Sequence, residues 1–299
     1  MPPRMTFITT RTLRRFYSSA AEPLIRVTNL PAPGTGHIRV LELNRPKARN
    51  AISKALLASL RDEVDAVQSQ YGPNGEELPP VKRFGVLLIL ASALALTSRS
   101  AGAFSQQDTA DFLTNLRGTL NSLSNLPIPT VSAISSVALG GGLELALSTH
   151  FRVLSSNATV GLPETRLGII PGAGGTHRLP ALIGLSRARD LILTGRRVAA
   201  PEAYFLGIAD RLVEVVPEDE RDGSDILGEA RKAALSEAVR LAQEICEGGP
   251  IGVRAALQAV AWAREEVENK MYERVVNTED RHEALKAFQE KRKPVFTGR

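Results

Sequence analysis

The sequence predicts an α/β fold, with a parallel or mixed sheet covered by helices. Three observations predict it. Short apolar runs bounded by glycine and proline alternate with segments of helical periodicity through the first half of the chain. The run Val86–Leu90 is apolar throughout, as a buried strand is. The later part is more helical, with Ala230–Glu247 and Gly252–Tyr272 the strongest stretches.

The elements follow in order. Ile38–Leu43 reads as a strand after the glycine-containing turn at Gly34–Gly36. Pro46 breaks that pattern, and Ser53 can cap a helix whose apolar face is Leu56, Leu57, Leu60, Val64 and Val67. Tyr71–Pro80 is a loop by composition. Asp108–Leu126 is a helix with Phe112, Leu113, Leu116, Leu120 and Leu123 on one side, ended by Pro127 and Pro129. Thr130–Val137 is the next strand. Glycines 140 to 142 lead into a short helix around Leu143–Ser148, and Phe151–Leu154 returns as a strand. Glu220–Asp225 is a charged turn, and no repeat of the solenoid kind is present.

Composition excludes several classes. Cys246 is the only cysteine, so neither an intrachain disulfide nor a cysteine-rich zinc site is expected. His37, His150, His177 and His282 lack metal-ligand spacing, and no metal is expected. The net charge is +5, but Arg4, Arg11, Arg14 and Arg15 all precede the first acid, Glu22; the remainder carries +1. A body so near neutral argues against nucleic acid as a partner. The opening MPPRMTFITTRTLRRFYSSA is rich in Arg, Ser and Thr and free of acids. It reads as a mitochondrial presequence removed at about residue 17, the other reading being a disordered basic tail. The apolar run Phe84–Leu96 is too short for a usual membrane span, so no membrane insertion is expected and a matrix location follows.

Two segments carry chemistry. In SAISSVALGGGLELALSTH a strand runs into three glycines and then a helix. Such a turn either serves tight packing or exposes N–H groups that favour a developing oxyanion. It is neither a Walker loop nor a G-x-G-x-x-G turn. Glu144 follows immediately. In VGLPETRLGIIPGAGGTHRLP, Glu164 sits after Pro163 among apolar residues. It is either a solvated loop carboxylate or a buried one with a raised pKa, suited to act as an acid near neutral pH.

Together these segments resemble the enoyl-CoA hydratase/isomerase, or crotonase, family. LGGGLELAL matches its first catalytic block and PETRLGIIPGAGGTHRLP its second. RPKARNAI matches an early block that contributes to CoA binding. TGRRVAAPEAYFLGIADRL and the tail TEDRHEALKAFQEKRKPVFTG match later ones. The resemblance covers residues 36 to 299 and is nearest to the mitochondrial methylglutaconyl-CoA hydratase branch. It implies a crotonase-like spiral of ββα units over 24–220, with 1–17 as presequence. A helical C-terminal region, 221–299, would serve oligomerisation and active-site closure. It also implies a homo-trimer or hexamer acting on an acyl-CoA, with coenzyme A as part of the substrate and no cofactor. Glu144 and Glu164 would be catalytic, and the N–H groups of Gly141 and Ala103 would form the oxyanion hole. Lys47, Arg49, Ala101, Gly102, Lys286 and Lys293 would bind CoA, a tail lysine reaching a neighbouring subunit's ligand.

The chemistry gives these parts a common logic. Adding water to Cβ of a conjugated thioester develops negative charge on the thioester oxygen, and each N–H donor there is worth about 3 kcal/mol. Two carboxylates sharing a water can divide the proton work. Having both glutamates favours hydration. An enoyl-CoA isomerase, a 3-hydroxyisobutyryl-CoA hydrolase and a non-catalytic assembly or RNA-interacting protein are the alternatives. The chain departs from the family pattern at 95–105. Ala-Gly-Ala survives at 101 to 103, but the expected Asp-Leu-Lys-Glu is replaced by Phe104-Ser105. Either the CoA-binding loop is shortened or the written sequence crosses a wrong splice junction; the transcript across residues 80 to 110 separates the two. Arg152, Arg166 and Arg178 are further candidates for an acidic acyl group.

Overall fold

The computed structural model describes residues 22–34, 36–72, 75–78, 84–95, 105–216 and 225–299. Its strands form one sheet. β1 (Ile25–Pro31) and β2 (His37–Leu43) make an antiparallel hairpin. β2, β3 (Phe84–Ala95), β4 (Thr130–Leu139) and β5 (Phe151–Ser155) continue in parallel, with β8 (Arg211–Val213) beside β5.

β4 is the hub that positions everything else. Val131–Ile134 pairs with β5, whereas Val137–Leu139 pairs with β6 (Thr159–Gly161), which in turn pairs antiparallel with β7 (Arg197–Ala199). β3 follows β4 along both halves, with a register shift between Ala91 and Ala93. The sheet therefore changes partner midway along β4. The carboxyl ends of β4 and β6 meet at Leu139 and Gly161, and the Gly140 N–H donates to the Gly161 carbonyl at 2.9 Å. Glu144 and Glu164 each follow within a few residues of that junction.

Period-2 alternation divides the core. Leu87 and Ile89 point into a cluster with Leu56, Leu60 and Val64 of α1 (Lys54–Gln68) and Leu116, Leu120 and Leu123 of α2 (Gln106–Ser124). Val86, Leu88 and Leu90 point the other way, onto Ala234, Ala238, Leu241 and Ala242. The four residues of that second group lie on α7 (Ile226–Cys246). Strands covered on both faces read as continuous apolar runs, which explains FGVLLILA. The repeated β–α order and the helical C-terminal region match the architecture expected from the sequence. α7, which the boundary at 220 assigns to the C-terminal region, packs directly against the sheet.

Local signals held where they were strong. Ser53 caps α1, its side chain accepting from the Leu56 N–H at 3.2 Å, and all five apolar-face residues are buried. Ser105 and Asp108 form a capping box at the start of α2. One expectation is corrected. Gly252–Tyr272 is not one helix but two, α8 (Pro250–Trp262) and α9 (Glu265–Val276), separated by Ala263 in the left-handed region at φ 47°. Nothing local marks that break, because alanine is the best helix former. α10 (Glu279–Gln289) follows, and the tail folds back on it through Asp280, whose carboxylate accepts from the Thr297 and Gly298 N–H groups. Residues 1–17, read from the sequence as a presequence, and Glu220 to Ser224 of the charged turn lie outside the described residues; Asp225 caps α7. Among the described residues no helix is long and apolar enough to cross a membrane.

Candidate active site

Glu144 lies in α3 (Gly141–Leu147), which starts where β4 ends. The short helix is buried along its whole length, and Glu144 is only 1% exposed. Its Oε1 accepts two backbone hydrogen bonds, from Ala173 at 2.7 Å and Gly175 at 2.9 Å. Two N–H donors on one oxygen fix the orientation of the carboxyl group. Its Oε2 is buried and, among the described residues, has no hydrogen-bond partner.

Glu164 opens a 3₁₀ turn, Glu164–Leu167, directly after Pro163. It is 6% exposed, and neither carboxyl oxygen has a partner among the described residues. Burial pushes its pKa up from 4.5 to about 7; its own amide partly offsets this, and the Glu144 carboxylate adds a further upward push. The two carboxyl groups are near enough for the Glu144 charge to act on Glu164, and each lies against a glycine. A Cβ on Gly140 would stand 3.1 Å from Glu164 Oε1, and one on Gly175 would stand 3.2 Å from Glu144 Oε1. Gly140 has φ 57°, and α4 (Gly175–Ile183) begins at the second of these glycines.

The raised pKa has a consequence for stability. Folded Glu164 holds its proton more tightly than the unfolded chain does. Its contribution is therefore fully present below about pH 4.5 and is lost as pH rises toward about 7. Glu164→Gln cannot ionise, so its Tm should gain on wild type as pH rises through that window. A difference in Tm that stays flat with pH would contradict the assignment.

The remaining sequence candidates fall in three places. Gly141 is the first residue of α3, in the same turn as Glu144. Lys47 and Arg49 are exposed on the turn after β2. That turn is held by the Asn50 side chain, which accepts from the Arg45 N–H at 2.6 Å; Arg49 and Asn50 both adopt positive φ. Lys286 is exposed on α10. Lys293 lines a cleft of about 310 Å³ with Phe84, Ile128, Cys246 and Arg254, at the amino ends of β3 and β4. Ten residues of β4 separate that edge from the glutamates, roughly 30 Å. The chain's own Lys293 is thus not brought to the pair. Ala101, Gly102 and Ala103 lie outside the described residues.

Of the arginines, Arg152 is committed to structure: its guanidinium pairs with Asp210 at 2.8 Å and donates to the Ile208 and Thr149 carbonyls. Arg166 donates to the Thr194 carbonyl, and Arg178 to Ala173 and Asn121. Burial pushes the His150 pKa down to about 4 and the Cys246 thiol up to about 11. Neither suits neutral-pH chemistry. Among the described residues no cluster of His, Cys, Asp and Glu could hold a metal ion. What sequence reasoning missed is the role of the Ala173 and Gly175 amides. Backbone donors leave no side-chain signature beyond the PGAGG run itself.

The model of the family described as enoyl-CoA hydratase/isomerase matches residues 91–299. The chain belongs to this family. Methylglutaconyl-CoA hydratase 1, mitochondrial, from Pyricularia oryzae is 65% identical, with 95% of this chain and 90% of that protein covered. The alignment runs to 316 positions, more than the 299 residues here, so that hydratase carries residues without a counterpart in this chain. Human mitochondrial methylglutaconyl-CoA hydratase is 37% identical over 95% of this chain and 81% of its own. Among solved structures, enoyl-CoA hydratase from Bacillus anthracis superposes with a TM-score of 0.77 at 33% identity, covering 93% of this chain and all of that one. The β4–β6 junction and its two glutamates are thus features of an enoyl-CoA hydratase/isomerase family member.

Proposed function

We propose that this chain adds water across the α,β double bond of an unsaturated acyl-CoA, with 3-methylglutaconyl-CoA as a substrate. The observation that carries the reading is the pair of buried carboxyl groups. One is held in place by two N–H donors, and the pKa of the other is raised to about 7. Glu144 is the base: Oε2 takes a proton from a water lying between the carboxyls. Glu164 is the acid: it delivers its proton to Cα as the water oxygen attacks Cβ. The Gly141 N–H, together with that of Ala103, supports the enolate oxygen. Lys47 and Arg49 meet the CoA phosphates as exposed cations.

The substrate and the compartment rest on the relatives. The Pyricularia and human proteins are named as mitochondrial methylglutaconyl-CoA hydratases, and the arginine-rich start of this chain suits import. The mature protein is a trimer-based oligomer, most simply a hexamer. Large apolar side chains exposed on the single chain support this, including Phe205 at 79% and Phe288 at 84%. In the assembly a neighbouring subunit brings Lys286 or Lys293 to the CoA. Light scattering tests the assembly: a trimeric or hexameric mass is expected, and a monomer over a wide concentration range would contradict it.

Turnover tests the reaction. With crotonyl-CoA and 3-methylglutaconyl-CoA, loss of the conjugated thioester absorbance is expected, with the higher kcat/KM for the second. A higher kcat/KM for crotonyl-CoA would move the substrate assignment to straight-chain acyl groups.

A further inference from the structure

Resting on that reading, we propose that Arg117 and Arg178 are positioning residues that hold the Glu144 carboxylate by fixing the 172–175 turn: Arg117 grips the far end of the Gly172–Ala173 peptide that Glu144 binds, and the Arg178 side chain grips the peptide between that one and the Gly174–Gly175 peptide.

The geometry runs through three consecutive peptide planes. The Ala173 N–H, which donates to Glu144, shares its plane with the Gly172 carbonyl, and that oxygen accepts from Arg117 Nε at 2.6 Å. The Ala173 carbonyl accepts from Arg178 Nη1 at 2.9 Å. The Gly175 N–H, also donated to Glu144, shares its plane with the Gly174 carbonyl, which accepts from the Arg178 backbone N–H at 2.9 Å. Each plane is thus gripped at its carbonyl end, and two of them present N–H groups to one carboxylate oxygen. Hydrogen bonds to a carbonyl also strengthen the N–H of the same peptide as a donor.

α2 supports the grip. Arg117 and Asn121 stand four residues apart on it, one helical turn, and Asn121 Oδ1 accepts from Arg178 Nη2 at 2.7 Å. A different face of the helix is anchored by Leu116, Leu120 and Leu123, all fully buried. Gly174 makes room: at φ 117° it lets the chain turn, and a Cβ there would stand 2.0 Å from Arg178 Nη1. Arg178 is also close enough to Glu144 for their opposite charges to attract.

The test uses the full-length protein with Arg178→Met, Arg117→Met, the double variant and Arg178→Lys. A displaced catalytic group costs on the order of 100-fold in rate. The double variant should lose about that much kcat while KM changes less than about threefold, since CoA contacts lie elsewhere. Arg178→Lys keeps the charge but not the fork, so it should restore only part of kcat. A merely structural role predicts a lower Tm with the kcat of the folded protein unchanged. Amide hydrogen exchange over residues 170–182 gives a readout independent of turnover: the Ala173 amide should lose protection in the Met variants, most in the double variant, and Gly175 less, because the Arg178 backbone N–H still holds the Gly174 carbonyl. Unchanged exchange in folded variants overturns the proposal. Inactive wild type with lost protection in the variants would instead overturn the hydratase reading and leave the grip standing.

Discussion

Glu144→Gln and Glu164→Gln are each expected to lower hydration turnover by roughly 10²–10⁴-fold while leaving fold and CoA binding intact. The amide has nearly the volume of the carboxyl and can still accept from the Ala173 and Gly175 N–H groups. It cannot take the proton from water at Glu144, nor donate an acidic proton at Glu164. Both sites are buried, so bulk solvent does not easily substitute for the lost group. The double variant should fall less than the product of the single losses, because acid and base act on one water. Circular dichroism, CoA affinity and kcat on crotonyl-CoA and 3-methylglutaconyl-CoA check this. Near-wild-type kcat in either folded variant would contradict the two-glutamate mechanism. If wild type is inactive, the comparison moves to a chain with an Asp-Leu-Lys-Glu segment restored after Ala103. Rescue there would locate the defect in the thioester support.

Gly140→Ala is expected to be nearly as damaging by a different route. Gly140 carries φ 57° and ψ −129°, a backbone conformation open to glycine and costly to residues with a Cβ. Strain of this kind costs about 1–3 kcal/mol. The added Cβ would also stand 3.1 Å from Glu164 Oε1, tighter than ordinary van der Waals contact. The residue further ties β6 to α3, its N–H donating to the Gly161 carbonyl and its own carbonyl accepting from the Glu144 N–H. A displacement near 1 Å here should cost on the order of 100-fold in kcat. Gly207→Ala is the control: it shares the positive φ, at 86°, but has nothing within 4 Å of an added Cβ. It should lose Tm and keep kcat. Equal kcat losses in the two variants would refute the local explanation.

The parts legible in the sequence are those whose signal is local. The face of α1 follows from five apolar residues at helical spacing, and its start from Ser53. The α3 glutamate follows from a strand, three glycines and a helix in succession. Other parts depend on distant partners. β6 and β7 are three residues each, too short for any period to register, yet β6 is what turns the sheet. Ala263 breaks the helical run in a residue type that normally continues one. Arg178 reads in sequence as a surface cation suited to an acidic acyl group. Its ties to Asn121 and Ala173 appear only when α2 and the 172–175 turn are brought together. The CoA contacts at Lys47 and Arg49 are the least legible, because exposed cations on a turn take meaning from a ligand.

Hydration in water enriched in oxygen-18 tests the central claim most directly. Wild-type protein is incubated with crotonyl-CoA in H₂¹⁸O, and the products are separated and weighed by mass spectrometry. The two-carboxylate account predicts 3-hydroxyacyl-CoA with one oxygen-18 at Cβ and an intact thioester. Free CoA with oxygen-18 in a released carboxylate, or crotonyl-CoA recovered unchanged, would contradict it.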